Sequence, residues 1–161
     1  MAKTRIAAAA LGLAALGSIL TGTSAQAAAT AEAGVQAAGC ADWYNSHAGD
    51  GNMWAWDYTY CDTRLGYSQG NDSNWSDGSG PFQGGDNDDA TSIMNTGVAD
   101  TYDTVKFYRH SGYGGGHGCL TRGEKYADSL GDNTFSDGSS ANNNISSHKW
   151  VSSGSCSRFL T

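Results

Sequence analysis

Two short runs of oxygen-bearing side chains share one pattern. Asn87-Asp88-Asp89-Ala90-Thr91-Ser92 and Asn142-Asn143-Asn144-Ile145-Ser146-Ser147 both read Asn/Asp, Asn/Asp, any, any, Ser/Thr, Ser. Carboxylates, amide carbonyls and hydroxyls are what hard cations take as ligands, six to eight of them for calcium. Each run leads into a short alternating stretch of strand character, Ile93-Met94 in one case and His148-Lys149-Trp150-Val151 in the other. One copy would mean little in a chain this rich in Asn, Asp, Ser and Thr. Two copies, each pinned to the start of a strand, read as two halves of a cation site.

Such half-sites need a rigid frame. From Cys40 onward, clusters of Gly, Asn, Asp and Ser interrupt short aromatic or β-branched stretches: Met53-Trp54-Ala55-Trp56, Thr104-Val105-Lys106-Phe107-Tyr108 and His148-Lys149-Trp150-Val151. No stretch sustains a helical period, so the expectation is an all-β sandwich of short strands and Gly-rich turns. Ile93, Phe107, Leu130, Ile145 and Trp150 are the expected core. The oxygen-rich motifs, each trailing an aromatic strand, divide the chain into similar halves. The boundary falls near Thr96 to Asp103. In the second half Tyr108, Tyr113 and Gly115 stand as aromatic, four residues, aromatic, any, glycine. That arrangement suits a folded hairpin whose glycine takes an angle other residues resist.

The chain begins with Lys3 and Arg5, an apolar Ile6 to Leu20 run and a small-residue Ala25-Gln26-Ala27 site. This reads as a secretory signal peptide, residues 1–27, too short to span a bilayer as a stable helix. Residues 28–39 read as a mobile tail and 40–161 as the folded domain. The expected product is extracellular and has no membrane contact after cleavage. The net charge of −7 becomes two units more acidic when Lys3 and Arg5 leave, which argues against a nucleic-acid partner. Cys40, Cys61, Cys119 and Cys156 read as two disulfides in a secreted chain, with three possible connectivities. Cys40–Cys61 and Cys119–Cys156 are favoured because each pair stays within one half.

The second half, with Tyr108-x4-Tyr113-x-Gly115, Ser129 and Asn142-x3-Ser146-Ser147, resembles one Greek key motif of the βγ-crystallin superfamily. Asn87 to Ser92 resembles the calcium-binding end of a partner key. The resemblance implies a sandwich of two keys, about 40–100 and 101–161. It also implies two calcium ions held between the motifs. Asp88 and Asn143 at position two and Thr91 and Ser146 at position five would supply side-chain oxygens, completed by Asn87, Asn142 and backbone carbonyls. Ser92 and Ser147 look structural. With a single carboxylate among these positions, affinity is expected near the extracellular end, on the order of 10⁻⁴–10⁻³ M. The first half departs from the pattern. Measured from Trp54 or Trp56, the hairpin positions hold Thr59 or Cys61, then Cys61 or Thr63, so whether its hairpin survives is open.

Catalytic patterns are sparse. The chain has no His-Glu-x-x-His run. Gly114-Gly115-Gly116 lacks the Lys-Ser/Thr of a phosphate loop. His110, His117 and Cys119 flank this glycine stretch and read as a solvated loop rather than a metal site. The chain is therefore expected not to be an enzyme. With the signal and paired cysteines, it is most similar to the secreted actinobacterial metalloproteinase inhibitors, peptidase inhibitor family 36. That implies a monomer whose partner is a secreted metalloprotease and whose reactive loop the sequence does not place. Cys61-Asp62 and Cys119-Leu120 are the bonds considered. The alternative is a calcium-stabilised extracellular structural or surface-interacting protein.

Overall fold

Aromatic and β-branched side chains favour the pleated backbone because it gives them room to pack across strands. The computed structural model describes residues 39–161; the expected signal peptide and all but the last residue of the expected tail lie outside the described residues. A helix, α1 (39–47), opens the described chain. Seven strands follow: β1 (Met53–Trp56), β2 (Arg64–Ser68), β3 (Ser92–Asn95), β4 (Thr104–His110), β5 (Gly114–Thr121), β6 (Tyr126–Ala127) and β7 (Ser147–Val151). The three stretches expected as strands lie in β1, β4 and β7.

The strands form two antiparallel sheets, ordered β2-β1-β3-β6 and β5-β4-β7. Each half supplies three strands to one sheet and reaches across to the other. From the second half, β6 pairs with β3 through Ile93–Ala127 and Met94–Tyr126. In return Asp72 of the first half makes a single antiparallel bridge to His148 on the outer edge of β7. The all-β sandwich of two Greek keys is the observed architecture.

The inner faces enclose one core, with Met53, Ala55, Ile93, Val105, Phe107, Leu120, Leu130 and Ile145 fully buried. Trp150 differs from the expectation: it is only partly buried. It lies near the open end of β7, where its ring packs against Gly97; a β-carbon there would come within 2.8 Å of the indole.

The helix is a second departure. Cys40, Trp43, Tyr44 and His47 follow helical spacing and face the outer side of the first sheet. There Cys40 joins Trp54, Trp56 and Met94 in a separate buried cluster, with Trp43 and Tyr44 packed against it. Trp43 meets the edge of Trp54 and of Trp56 at 5.4 and 5.9 Å between centroids. The first sheet is thus covered on both faces, so β1 and β3 are buried along their whole length. Gly39 is helical rather than tail. The glycine stretch read as a loop is instead the start of β5, because the strand is crowded: a side chain at Gly116 would strike Asp137, and one at Gly118 would strike Leu160.

Disulfides join Cys40 to Cys61 and Cys119 to Cys156. Both stay within a half. The first ties α1 to the β1–β2 turn, and the second ties β5 to the C-terminal segment. They fit an oxidising compartment. No helix among the described residues is long and apolar enough to cross a membrane.

His148 occupies the place in β7 that Ile93 occupies in β3, each facing the crossing strand. It is fully buried. Trp75 Nε1–H donates to its Nδ1 at 2.9 Å, leaving Nε2–H to donate to the Gly70 carbonyl at 3.0 Å. The ring is therefore a neutral Nε2–H tautomer, and a second proton would displace the Trp75 bond. Burial pushes its pKa from 6.5 down to about 4, against the bond to Gly70. A depressed histidine favours folding fully above its unfolded pKa and loses that contribution as pH falls towards the folded value. Stability should thus decline between pH 6.5 and about 4, by about 3 kcal/mol in all. Urea unfolding across this range checks it: His148→Gln should be less stable at pH 7 and show a flatter decline from pH 6.5 to 5, before carboxylates titrate.

Candidate functional site

Both oxygen-rich motifs end on the first residue of a strand, Ser92 of β3 and Ser147 of β7. In each, position two takes a left-handed backbone, with φ of 61° at Asp88 and 53° at Asn143. Asp and Asn tolerate that region better than other side chains with a β-carbon. The turn aims the position-two amide at the opposite motif. Asp88 N–H donates to the Ile145 carbonyl at 3.1 Å, and Asn143 N–H donates to the Ala90 carbonyl at 3.0 Å.

The side chains exchange in the same way. Ser146 Oγ lies 2.9 Å from Asp88 Oδ1, and Thr91 Oγ donates to Asn143 Oδ1 at 2.8 Å. Position two of each motif therefore meets position five of the other, and four of the six expected ligands come together as two cross-motif pairs. The remaining two flank them. Asn87 Nδ2 donates to Asp88 Oδ2 at 2.8 Å, while Asn142 Oδ1 is buried without a partner.

The pairs differ in charge. Asp88 with Ser146 contains a carboxylate; Asn143 with Thr91 is neutral. The Ser146 hydroxyl also lies 2.9 Å from the Arg109 carbonyl. It has one proton for two acceptors, Asp88 Oδ1 and Arg109 O, so one of them is left short of a donor. An excess of oxygen lone pairs, together with the orphaned Asn142 Oδ1, fits a hard cation. Among the described residues no three of His, Cys, Asp or Glu converge. An ion here would be held by amide, hydroxyl and backbone oxygens around the lone Asp88 carboxylate. The Arg109 carbonyl would be a contributor that the motif spacing did not reveal.

Position six closes the folded hairpins. Ser92 Oγ–H donates to the Tyr58 carbonyl at 2.7 Å and accepts from Cys61 N–H at 3.1 Å. Ser147 Oγ–H donates to the His110 carbonyl at 2.7 Å and accepts from Tyr113 N–H at 3.3 Å. Each hairpin carries one short 3₁₀ turn, Thr59–Cys61 or Ser111–Tyr113. The first hairpin is therefore retained. Cys61 stands where the second half has Tyr113, and Thr63 (φ 53°) stands where it has Gly115 (φ 74°). The second hairpin is held by Tyr113 lying near Tyr108, 5.7 Å between centroids. The first is held by the disulfide to Cys40 instead. Trp54 and Trp56 are buried beneath it, and Tyr58 is exposed.

His110, His117 and Cys119 do not form a site. Cys119 is bonded to Cys156, and the His117 ring nitrogens face Ser136 Oγ at 3.1 Å and Ser157 Oγ at 2.9 Å. Burial and then the Lys106 charge hold His117 below the usual histidine range, against the pull of Asp137.

Two keys, the second lending β6 and the first a single bridge at Asp72 to the opposite sheet, cross at paired oxygen-rich turns and settle the architecture. The fold is βγ-crystallin-like. No protein-family model matches the chain, and no curated protein does either. Among solved structures, a domain studied for the evolution of the eye-lens βγ-crystallin fold is 16% identical, with a TM-score of 0.46 over 63% of this chain and 86% of its own. A βγ-crystallin from Ciona intestinalis is 17% identical, with a TM-score of 0.44 over 62% of this chain and 99% of its own. One from an archaeon is 17% identical, with a TM-score of 0.41 over 62% and 96%. The assignment of fold rests on the strand exchange and not on these overlaps.

If the position-six serines act as hairpin clasps, Ser147→Ala strips partners from two backbone groups at once. It should cost about 1–3 kcal/mol, whereas alanine at the exposed Ser111 should cost little. Urea unfolding of both variants without added calcium checks this separately from any ion.

Proposed function

We propose that the chain is a secreted, calcium-binding βγ-crystallin-like protein that inhibits metalloproteases. The observation that carries the calcium part is the exchange of oxygens between motifs, Asp88 with Ser146 and Thr91 with Asn143. Asp88, Ser146 and the Arg109 carbonyl would hold one ion, with Asn87 beside them. Asn143, Thr91 and Asn142 would hold a second, more weakly, for want of charge. Calcium at either place draws together residues from both halves and so braces the frame without taking part in any reaction.

The inhibitory part rests on the sequence resemblance, the leader-like start and a frame rigid enough to present a loop without its being reshaped. A preorganised loop binds a cleft with less ordering cost than a flexible peptide. The acidic net charge suits a protease with a basic rim around its cleft. The second reading, a calcium-stabilised structural or surface-interacting protein, is favoured by the same motif junction, since bracing the fold is all that the ion corner by itself requires.

Calcium a hundredfold above its dissociation constant should stabilise the protein by about 2.7 kcal/mol. Asp88→Ala should remove more of that gain than Asn143→Ala, because it deletes the charged ligand. Calorimetric titration and melting curves at millimolar calcium read this out, and a flat response would end the calcium assignment. Peptide hydrolysis by a panel of secreted metallo-, serine and cysteine proteases, with and without the protein, tests inhibition. Loss of activity confined to the metalloproteases supports the first reading. No effect at micromolar protein leaves the structural one.

A further inference from the structure

We propose that the outer face of the second sheet holds a binding site for a phosphate group, between Lys106 and Lys149. The site rests on neither the calcium nor the inhibitor reading.

The register sets these two lysines directly opposite each other. Val105 and Phe107 of β4 point into the core, so Lys106 and Tyr108 project from the other side of the sheet. Lys149 of β7 is the partner of Lys106 across the ladder and shares its face. Like charges directly opposite on antiparallel strands destabilise the pairing. Nothing in the composition forces this. Acidic residues outnumber basic ones 16 to 9, and Arg109 and Arg122 each meet a carboxylate. Among the described residues, Lys106 and Lys149 meet none. A local rule broken at one place in a consistent sheet marks a place where something besides the fold sets the residues.

The surroundings fit an anion. Lys149 Nζ stands 5.0 Å from the centre of the Tyr113 ring and 5.4 Å from that of Tyr108. Lys106 Nζ stands 5.6 Å from Tyr108. The two ammonium groups thus share one aromatic floor, and Tyr108 is almost wholly covered. A ring face attracts a cation but brings no net negative charge, so the excess positive charge remains. Lys106 Nζ donates to the Ser155 carbonyl at 2.8 Å, which leaves two of its three N–H groups. Burial and then the Lys149 charge lower the Lys106 pKa. Lys106 in turn acts on His117, the cross-strand neighbour of Tyr108. The positive field is uncompensated at this spot although the whole chain is acidic. Carboxylates elsewhere on the surface act weakly here, because physiological salt screens exposed charges over about 8 Å.

Two ammonium groups on one face call for a doubly charged oxyanion. Phosphate in its dianionic form brings two charges to two lysines. Its oxygens accept from the N–H groups that the protein leaves unused, in charge-assisted bonds stronger than neutral ones. Cross-strand repulsion would become a bridge between β4 and β7. The ligand would be either free phosphate or a phosphate monoester on a larger molecule, and the recognising chemistry is the same.

The test uses the full mature chain without calcium, so that calcium phosphate plays no part. Calorimetric titration with inorganic phosphate at fixed ionic strength should show saturable binding. Millimolar phosphate should raise the melting temperature more than sodium chloride of the same ionic strength. Lys149→Gln should bind phosphate about tenfold more weakly or worse, and Lys149→Arg should retain binding. Lys149→Gln loses ring contacts together with repulsion, so without phosphate it should melt close to the wild type, which separates lost binding from lost fold. Lys125→Gln removes the same charge beside Tyr44, away from the lysine pair, and should bind as the wild type does. Glycerol phosphate, with glycerol as its uncharged control, gives the source: tighter binding than inorganic phosphate supports a monoester, and weaker binding supports the free ion. Equal affinity of wild type and Lys149→Gln overturns the site. So does a melting shift that sodium chloride reproduces, since salt would then merely be screening the two lysines.

Discussion

Neither half of this molecule can close its own sheet. The outer edge of β3 is paired by β6 from the other half, and the outer edge of β7 by the bridge at Asp72. Buried backbone N–H and C=O groups must be paired with something, so the first half's sheet is completed by β6 of the second, and the edge of β7 by a single bridge from the first. The same exchange recurs wherever the halves meet. Leu130 N–H donates to the Thr91 carbonyl and Trp75 N–H to the Ser146 carbonyl, a matched pair one step from the crossing strands. Tyr60 N–H and Gly112 N–H likewise reach the carbonyls of Asp128 and Ser73. The left-handed turns at Asp88 and Asn143 belong to this scheme. They exist to aim an amide at the opposite motif, and they bring ligand-type oxygens into pairs as a by-product.

The repeat was legible because it is written in polar residues at fixed places: two motifs, each ending on a strand. Strands β1, β4 and β7 were legible because aromatic and β-branched side chains mark them. The crossing strands were not, since β6 is two residues long and its counterpart is a single bridge; nothing so short carries a period. The helix 39–47 did leave a signal in the spacing of Cys40, Trp43, Tyr44 and His47, but one and a half turns of apolar stripe between Gly and Asn reads as loop. The first hairpin was obscured by its chemistry. Cys61 supplies through a covalent bond to the helix what Tyr113 supplies by ring packing, so a search for an aromatic there fails although the backbone is retained.

For the candidate site, the resemblance named positions two and five as side-chain donors between the motifs, but not that position two of each meets position five of the other. The resemblance did not indicate the Arg109 carbonyl, a backbone atom whose side chain says nothing of it. The asymmetry between the halves was partly legible. The asparagine-only second motif showed that one pair would be neutral. That His148 replaces an isoleucine-like core position showed only once the crossing strand and Trp75 were in place, because an isolated histidine in a strand looks like surface.

The two disulfides have a topological consequence. Cys40–Cys61 and Cys119–Cys156 each close within one half, and only the backbone between Asn95 and Thr104 joins the halves covalently. Yet the halves are woven together by both sheets. A chain severed there would become a two-piece molecule that still travels as one particle in native solution. In denaturant it would fall into two fragments even with every cystine intact, so the weave alone, without any covalent link, would carry the cohesion of the cut protein.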